Sequence, residues 1–216
     1  MKHADGEEEF IAGLINLTGG DKSLLGDDCA LLKNYNPPLL IAADCLTKNI
    51  HYDNSFTPAQ IAEKLVGVNV SDFAAMGGRP QNAILTLCSS RGIEFQEELS
   101  TNIIKYLNKK NVTLVGGDIS AAPKNHETVT LTMLGAIKKE TLMWRHLGQP
   151  EDLLAISGPL GGAATVLSTG SSKREILHQI PDNLSLGENL AELGVRCAID
   201  ISDGLLKDLQ RILRAS

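Results

Sequence analysis

Aspartate recurs in this chain where an apolar segment should leave no room for it. Asp44 follows Leu-Leu-Ile-Ala-Ala, Asp118 follows Thr-Leu-Val-Gly-Gly, and Asp200 follows Cys-Ala-Ile. Asp72 stands inside Val-Asn-Val-Ser-Asp-Phe-Ala-Ala-Met, one helical turn from Asn69. An ionised carboxylate buried without a partner costs several kcal/mol, so a fold that buries these segments has to bring the aspartates to a cation, a metal or several donors. The strand ends of αβ sheets collect ligands, and carboxylates projecting from several of them can converge on one hard cation. Each aspartate taken singly has a plainer reading, as a turn former or, for Asp72, as part of a polar stripe facing outward. Their repetition is what points to a site.

Two further acidic pairs extend the pattern. Asp27-Asp28 follows Gly26 as a paired acidic turn. Asp200-Ile201-Ser202-Asp203-Gly204 sets two carboxylates at a predicted helix start, where Ser202 or Asp203 can serve as N-cap and where outward N–H groups also suit phosphate. The chain carries 20 Lys+Arg against 26 Asp+Glu, a net charge of −6, so no basic surface advertises nucleic acid or an anionic membrane. With 43% hydrophobic and 21% charged residues it can bury a core. No apolar run approaches the ~20 residues of a membrane span, and the polar, acidic start does not read as a signal peptide. The four cysteines, Cys29, Cys45, Cys88 and Cys197, lie far apart and read as small buried hydrophobes of a cytoplasmic protein.

Periodicity and punctuation predict a short helix over 7–17, strands over 30–33 and 39–43 around a proline-rich turn, and a long helix from Pro58 to Gly77 with Pro80 just beyond. A strand over 81–88, a helix over 94–110, a strand over 112–115 and a half-exposed strand over 127–137 follow. These make a first unit of residues 1–137. Residues 138–150 suit a connector. A second unit, 151–216, is predicted to hold a strand (152–157), a helix to about 168, a helical segment (184–193), a strand (195–199) and a last helix from Asp203.

What is missing narrows the chemistry. There is no Gly-Lys dipeptide for a P-loop, no G-x-G-x-x-G, no G-x-S-x-G and no H-E-x-x-H. A candidate site rich in Asp but poor in His and Cys favours Mg²⁺ with phosphate over zinc.

In order along the chain stand Gly26-Asp27-Asp28-Cys29-Ala30-Leu31-Leu32, Asp44 with His51 after it, Val68-Asn69-Val70-Ser71-Asp72-Phe73-Ala74-Ala75-Met76-Gly77, Gly116-Gly117-Asp118, and Ala198-Ile199-Asp200-Ile201-Ser202-Asp203-Gly204-Leu205. This set resembles the thiamine-monophosphate kinase family, in the superfamily of aminoimidazole ribonucleotide synthetase. The resemblance implies an α/β (α+β) fold of that synthetase type, with an N-terminal mixed sheet packed by helices, a partial C-terminal α/β domain, and pairing of N-terminal domains as a homodimer. It implies ATP-dependent, Mg²⁺-assisted phosphorylation of thiamine monophosphate to thiamine diphosphate by direct in-line transfer. Carried over by position, Asp28, Asp44, Asp72, Asp118, Asp200 and Asp203 look like Mg²⁺ ligands, Gly117, Asp118, Arg145 and Ser202 like nucleotide contacts, and His51 like a substrate contact.

The chain departs from the family's pattern at Ala42-Ala43 and at Ile119-Ser120-Ala121-Ala122. It also ends soon after the D-G-L segment, where the family continues. The expectation is an incomplete second unit with exposed apolar surface and impaired turnover. A related ATP-using synthetase or a non-catalytic nucleotide-binding remnant are the alternatives.

Overall fold

The computed structural model describes residues 13–17, 27–137, 142–170 and 174–216. The part of the first predicted helix before residue 13 lies outside them, and residues 13–17 are helical. Five strands form one mixed sheet: β1 (Ala30–Leu32), β2 (Leu39–Thr47), β3 (Arg79–Ser89), β4 (Thr113–Ala121) and β5 (Glu127–Ala136). Their spatial order is β1-β2-β5-β3-β4, with β3 and β4 parallel and every other neighbouring pair antiparallel. The last strand in the chain therefore lies in the middle of the sheet.

Alternation in β5 explains its two faces. Val129, Leu131 and Met133 are fully buried, whereas Thr128, Thr130 and Thr132 point to the other side and are only partly covered. Two helices close the apolar face, α1 (Pro58–Met76) and α2 (Ile93–Lys109). From α1 come Ile61, Leu65, Phe73 and Met76, and from α2 Leu99, Ile103 and Leu107, all fully buried against Leu40, Leu87 and Leu131. Each such side chain contributes about 1.5–3 kcal/mol relative to exposure.

The punctuation of α1 is visible in its bonds. Thr57 accepts from the Gln60 N–H, the Gln60 side chain accepts from the Thr57 N–H, and Pro58 occupies the first turn, where its missing donor costs nothing. At the other end Gly77 turns left-handed (φ 73°), and Gly78 donates to the Phe73 carbonyl at 2.9 Å.

Among the described residues beyond Ile137 stand three α-helices, α3 (Gly162–Thr169), α4 (Leu184–Glu192) and α5 (Leu205–Ala215). The α4 helix packs on α1 at Gly187, where a Cβ would run into the Ala74 carbonyl oxygen. The strands expected over 152–157 and 195–199 are not present. Both stretches lack ladder partners among the described residues, and a strand exists only where a neighbour takes its hydrogen bonds. Large apolar side chains are correspondingly exposed in this part of the chain, with Leu153 at 97% and Leu206 at 83%.

Two other expectations need correction. The strands carrying Asp44 and Asp118 do not stop at those aspartates but run on to Thr47 and Ala121. Only Cys29 of the four cysteines is buried, Cys45 being exposed and Cys88 and Cys197 half-buried.

Candidate functional site

Three distant pieces of chain bring carboxylates together. Asp28 comes from the bend before β1, Asp72 from the last turns of α1, and Asp200 from the irregular stretch before α5. Each offers an oxygen, and the three atoms lie within 4.8 Å of one another. Asp44 belongs to the same neighbourhood, because its charge acts on both Asp72 and Asp200. Alternation along β2 sets Asp44 on the face of Leu40, Ala42 and Leu46, towards α1. There the buried Asn69 ties strand to helix: its Oδ1 accepts from the Asp44 N–H at 3.2 Å, and its Nδ2 donates to the Leu65 carbonyl at 2.9 Å.

Among the described residues, Arg145 is the cation that stands at these carboxylates. The Arg145 guanidinium donates through Nη2 to Asp28 Oδ1 at 2.7 Å and through Nε to Asp28 Oδ2 at 3.2 Å, while its backbone N–H donates to Asp27 Oδ2 at 3.1 Å. Burial, reinforced by the charges of Asp44, Asp200 and Asp28, pushes the Asp72 carboxyl up to about 9. Burial and Asp28 push Asp200 up to about 7 against a hydrogen bond from Ser71, and burial with Asp28 pushes Asp27 up to about 7 as well. Asp44 is raised, chiefly by burial, with His51 pulling the other way.

A group of oxygen donors that resists ionisation in the metal-free protein is suited to a hard divalent cation. The neighbouring Cys29 does not compete as a soft ligand, since burial first and the nearby aspartates second push its thiol well above its ordinary range.

The sign of the pH response follows. The unfolded chain ionises these carboxyls near pH 4, whereas the folded metal-free protein keeps protons on Asp27, Asp72 and Asp200 to about pH 7–9. Because the folded state binds more protons over that range, its stability falls as pH rises, and the loss is complete above about pH 9. Thermal denaturation in a chelator should show this decline between about pH 5 and 9. Mg²⁺ should flatten it, and an identical profile with and without metal would count against a cation at this cluster.

The other expected site residues lie elsewhere. Asp44, Leu131, Leu85 and Gly117 form one row across β2, β5, β3 and β4, so Asp118 stands about 14 Å from Asp44, three strand spacings away, exposed on the edge strand. Gly117 has a packing reason of its own, since a Cβ there would meet the Leu85 backbone. Asp203 is exposed and held by Lys207 at 2.6 Å and Arg211 at 2.8 Å. The six predicted ligands are thus not one cluster in this chain.

Ser202 and Asp203 do not cap α5. Gly204 is the N-cap residue, and the buried Asp208 reaches back to accept from the Ser202 and Asp203 N–H groups at 3.1 and 3.0 Å. Arg145, expected at a nucleotide, is engaged by Asp28. His51 lies on the loop after β2, its ring Nδ1 accepting from the Thr47 N–H at 2.8 Å.

Asp27, Asn69, Ser71 and Asp208 are the supporting residues that the sequence reading did not assign. Asp27 and Asn69 stand out in the sequence only as neighbours of assigned aspartates, whereas Asp208 carries a signal of its own, an acid in the first turn of an amphipathic helix.

The profile of the family described as AIR synthase related protein, N-terminal domain, matches residues 26–137. The thiamine-monophosphate kinase of Haemophilus influenzae is 34% identical over 208 residues, covering 89% of this chain and 61% of its own length. That of Methanopyrus kandleri is 30% identical over 220 residues, covering 97% and 69%. The chain thus spans about three fifths of the length of the first of these relatives. Among solved structures, "AaThiL complexed with AMPPCP and TMP" superposes with a TM-score of 0.80 at 23% identity, over 95% of this chain and 69% of that one, a likeness of fold. The chain belongs to the AIR synthase related family and, within it, to the thiamine-monophosphate kinases.

Proposed function

We propose that the chain binds ATP with Mg²⁺ and serves the transfer of the γ-phosphoryl group to the phosphate of thiamine monophosphate, giving ADP and thiamine diphosphate. The observation that carries this reading is the convergence of Asp28, Asp72 and Asp200 within 4.8 Å, in a chain whose relatives bear the kinase's name. Asp28, Asp72 and Asp200, with Asp44 beside them, would hold the metal. When bound, Mg²⁺ supplies countercharge to the carboxylates and to phosphoryl oxygens.

The protein's own contribution is positioning, since phosphoryl transfer asks for little covalent chemistry from side chains. Arg145 fixes the Asp28 carboxylate, Asn69 fixes Asp44, Ser71 donates to Asp200, and Asp208 holds the backbone that follows Asp200. Gly117, Asp118 and Ser202 are assigned to nucleotide and His51 to thiamine monophosphate on the family pattern. Asp118 and Asp203 are assigned to the metal set on the family pattern alone, Asp118 being level with Thr86 on the open face of the sheet.

The same reading divides the chain into an ATP- and metal-binding unit (1–137), a connector (138–150) and a partial second unit (151–216), in a cytoplasmic protein. Among the described residues no helix is long and apolar enough to cross a membrane. A homodimer is supported by the uncovered sheet face, where Ala43, Cys45 and Thr86 are exposed and Ile84 is 40% exposed. Sedimentation showing only monomer at micromolar concentration would remove that part.

Calorimetry with ADP should give binding that requires Mg²⁺. ATP and thiamine monophosphate should give ADP and thiamine diphosphate only when Mg²⁺ is present. Nucleotide binding that is absent, or indifferent to Mg²⁺, would sink the proposal.

A further inference from the structure

The proposed chemistry makes no use of one buried carboxylate. Glu127, the first residue of β5, has a fully buried side chain that accepts hydrogen bonds from Tyr52, Ser89 and Arg91. Tyr52 Oη–H donates to Oε1 at 2.6 Å and Arg91 Nη2 to the same oxygen at 3.0 Å. Ser89 Oγ–H donates to Oε2 at 3.0 Å, and Arg91 Nε stands 2.8 Å from the same oxygen in an ion pair. The Glu127 carbonyl in turn accepts from the Lys48 N–H at 3.0 Å. A saturated, charge-assisted arrangement of this kind holds its members in one geometry.

Tyr52 is the member that matters outside the core. It is buried itself and closes the tight loop after β2, where its carbonyl accepts from the Asn49 N–H at 2.7 Å and Asn49 is left-handed (φ 66°). His51 is the residue before it. The His51 N–H donates to the Thr47 carbonyl at 2.9 Å, and its own carbonyl accepts from Lys64 Nζ at 2.7 Å. Its ring Nδ1 accepts from the Thr47 N–H, which in a neutral imidazole leaves the proton on Nε2. The ring is exposed and near enough to Asp44 to act on its charge, so it stands at the rim of the carboxylate cluster.

We propose that the Tyr52–Glu127 hydrogen bond is a latch that fixes the 47–52 loop so that His51 presents Nε2–H as an oriented donor to a phosphate oxygen of the substrate. Tyr52 and Glu127 are then positioning residues acting through His51. The identity of that phosphate as thiamine monophosphate rests on the function proposed above, whereas the latch and the ring's tautomer do not.

The test is Tyr52→Phe in the full chain, which keeps the ring in the core and leaves Glu127 with its other donors. Nitrogen-15 NMR of the imidazole should show the Nε2–H form in the parent protein and a mixture of tautomers in the variant. Thiamine monophosphate should bind about tenfold more weakly, the scale of one charge-assisted hydrogen bond lost, with the affinity for Mg²⁺ and ADP changed less than twofold. In a His51→Ala background, Tyr52→Phe should add less than a further twofold.

An unchanged tautomer overturns the latch. So does a loss of thiamine monophosphate binding that persists in full without His51, since Tyr52 would then act by another route. Should the parent protein show no affinity for thiamine monophosphate, the substrate assignment falls and the tautomer alone decides the latch.

Discussion

Asp72→Asn is expected to abolish Mg²⁺-dependent nucleotide binding while leaving the metal-free protein as stable as before at pH 7. The two halves of this expectation have one cause. With its carboxyl pushed up to about 9 by burial and by the charges of Asp44, Asp200 and Asp28, Asp72 is largely protonated in the metal-free protein, and an amide of the same shape changes little. A divalent cation needs that proton displaced and the carboxylate formed, which asparagine cannot do. We expect Mg²⁺ affinity to fall by about a hundredfold or more, beyond the 10–100-fold typical when only an outer partner of a metal ligand is removed. Part of the decline in stability between pH 7 and 9 should vanish as well. Calorimetric titration and pH-dependent melting read both halves, and a variant that unfolds, with binding lost in proportion, would make Asp72 a structural residue.

Arg145→Ala should do the reverse, costing stability most when metal is absent. The Asp28 side chain is 1% exposed and Asp27 3%, and Arg145 is the cation paired with both. Removing one partner of a buried ion pair typically costs about 3–5 kcal/mol, since the other charge is left uncompensated. The guanidinium retains some exposure here, so the lower end, about 3 kcal/mol, is the fair expectation, or roughly 6–12 °C in Tm for a chain of this size. Mg²⁺ should recover a good part of the loss by supplying positive charge beside Asp28. An unaltered Tm would mean that Arg145 is in effect a solvated arginine.

The contrast between these two residues shows how far the sequence could be read. Asp72 announces itself, because a carboxylate amid Val70, Phe73 and Ala74 conflicts with its own helix. Arg145 sits in a featureless connector, and nothing local reveals that Asp27 and Asp28 wait across more than a hundred residues of chain.

The helix from Pro58 to Met76 is legible in full, because Thr57, Pro58 and Gly77 act within a few residues of themselves. The strands of the sheet are legible as segments but not in length. Asp44 and Asp118 look like terminators, yet a strand continues wherever a neighbour still takes its hydrogen bonds, as Cys45 does opposite Thr130 and Ile119 opposite Leu87. The converse failure, strands expected at 152–157 and 195–199, has the same origin: alternating or apolar runs state a preference, and pairing is a property of the rest of the sheet.

The position of β5 also bears on how such a chain acquires its structure during synthesis. Until Glu127–Ala136 leaves the ribosome, β2 and β3 each present an open edge to the gap that β5 fills, so the halves β1-β2 and β3-β4 cannot be joined into one sheet. Its closure is a single late event. That event also delivers Glu127 to Tyr52, which means the loop bearing His51 takes its final shape only when the central strand does. A nascent chain arrested before residue 127 would hold most of the residues of this unit without the strand that joins its two halves.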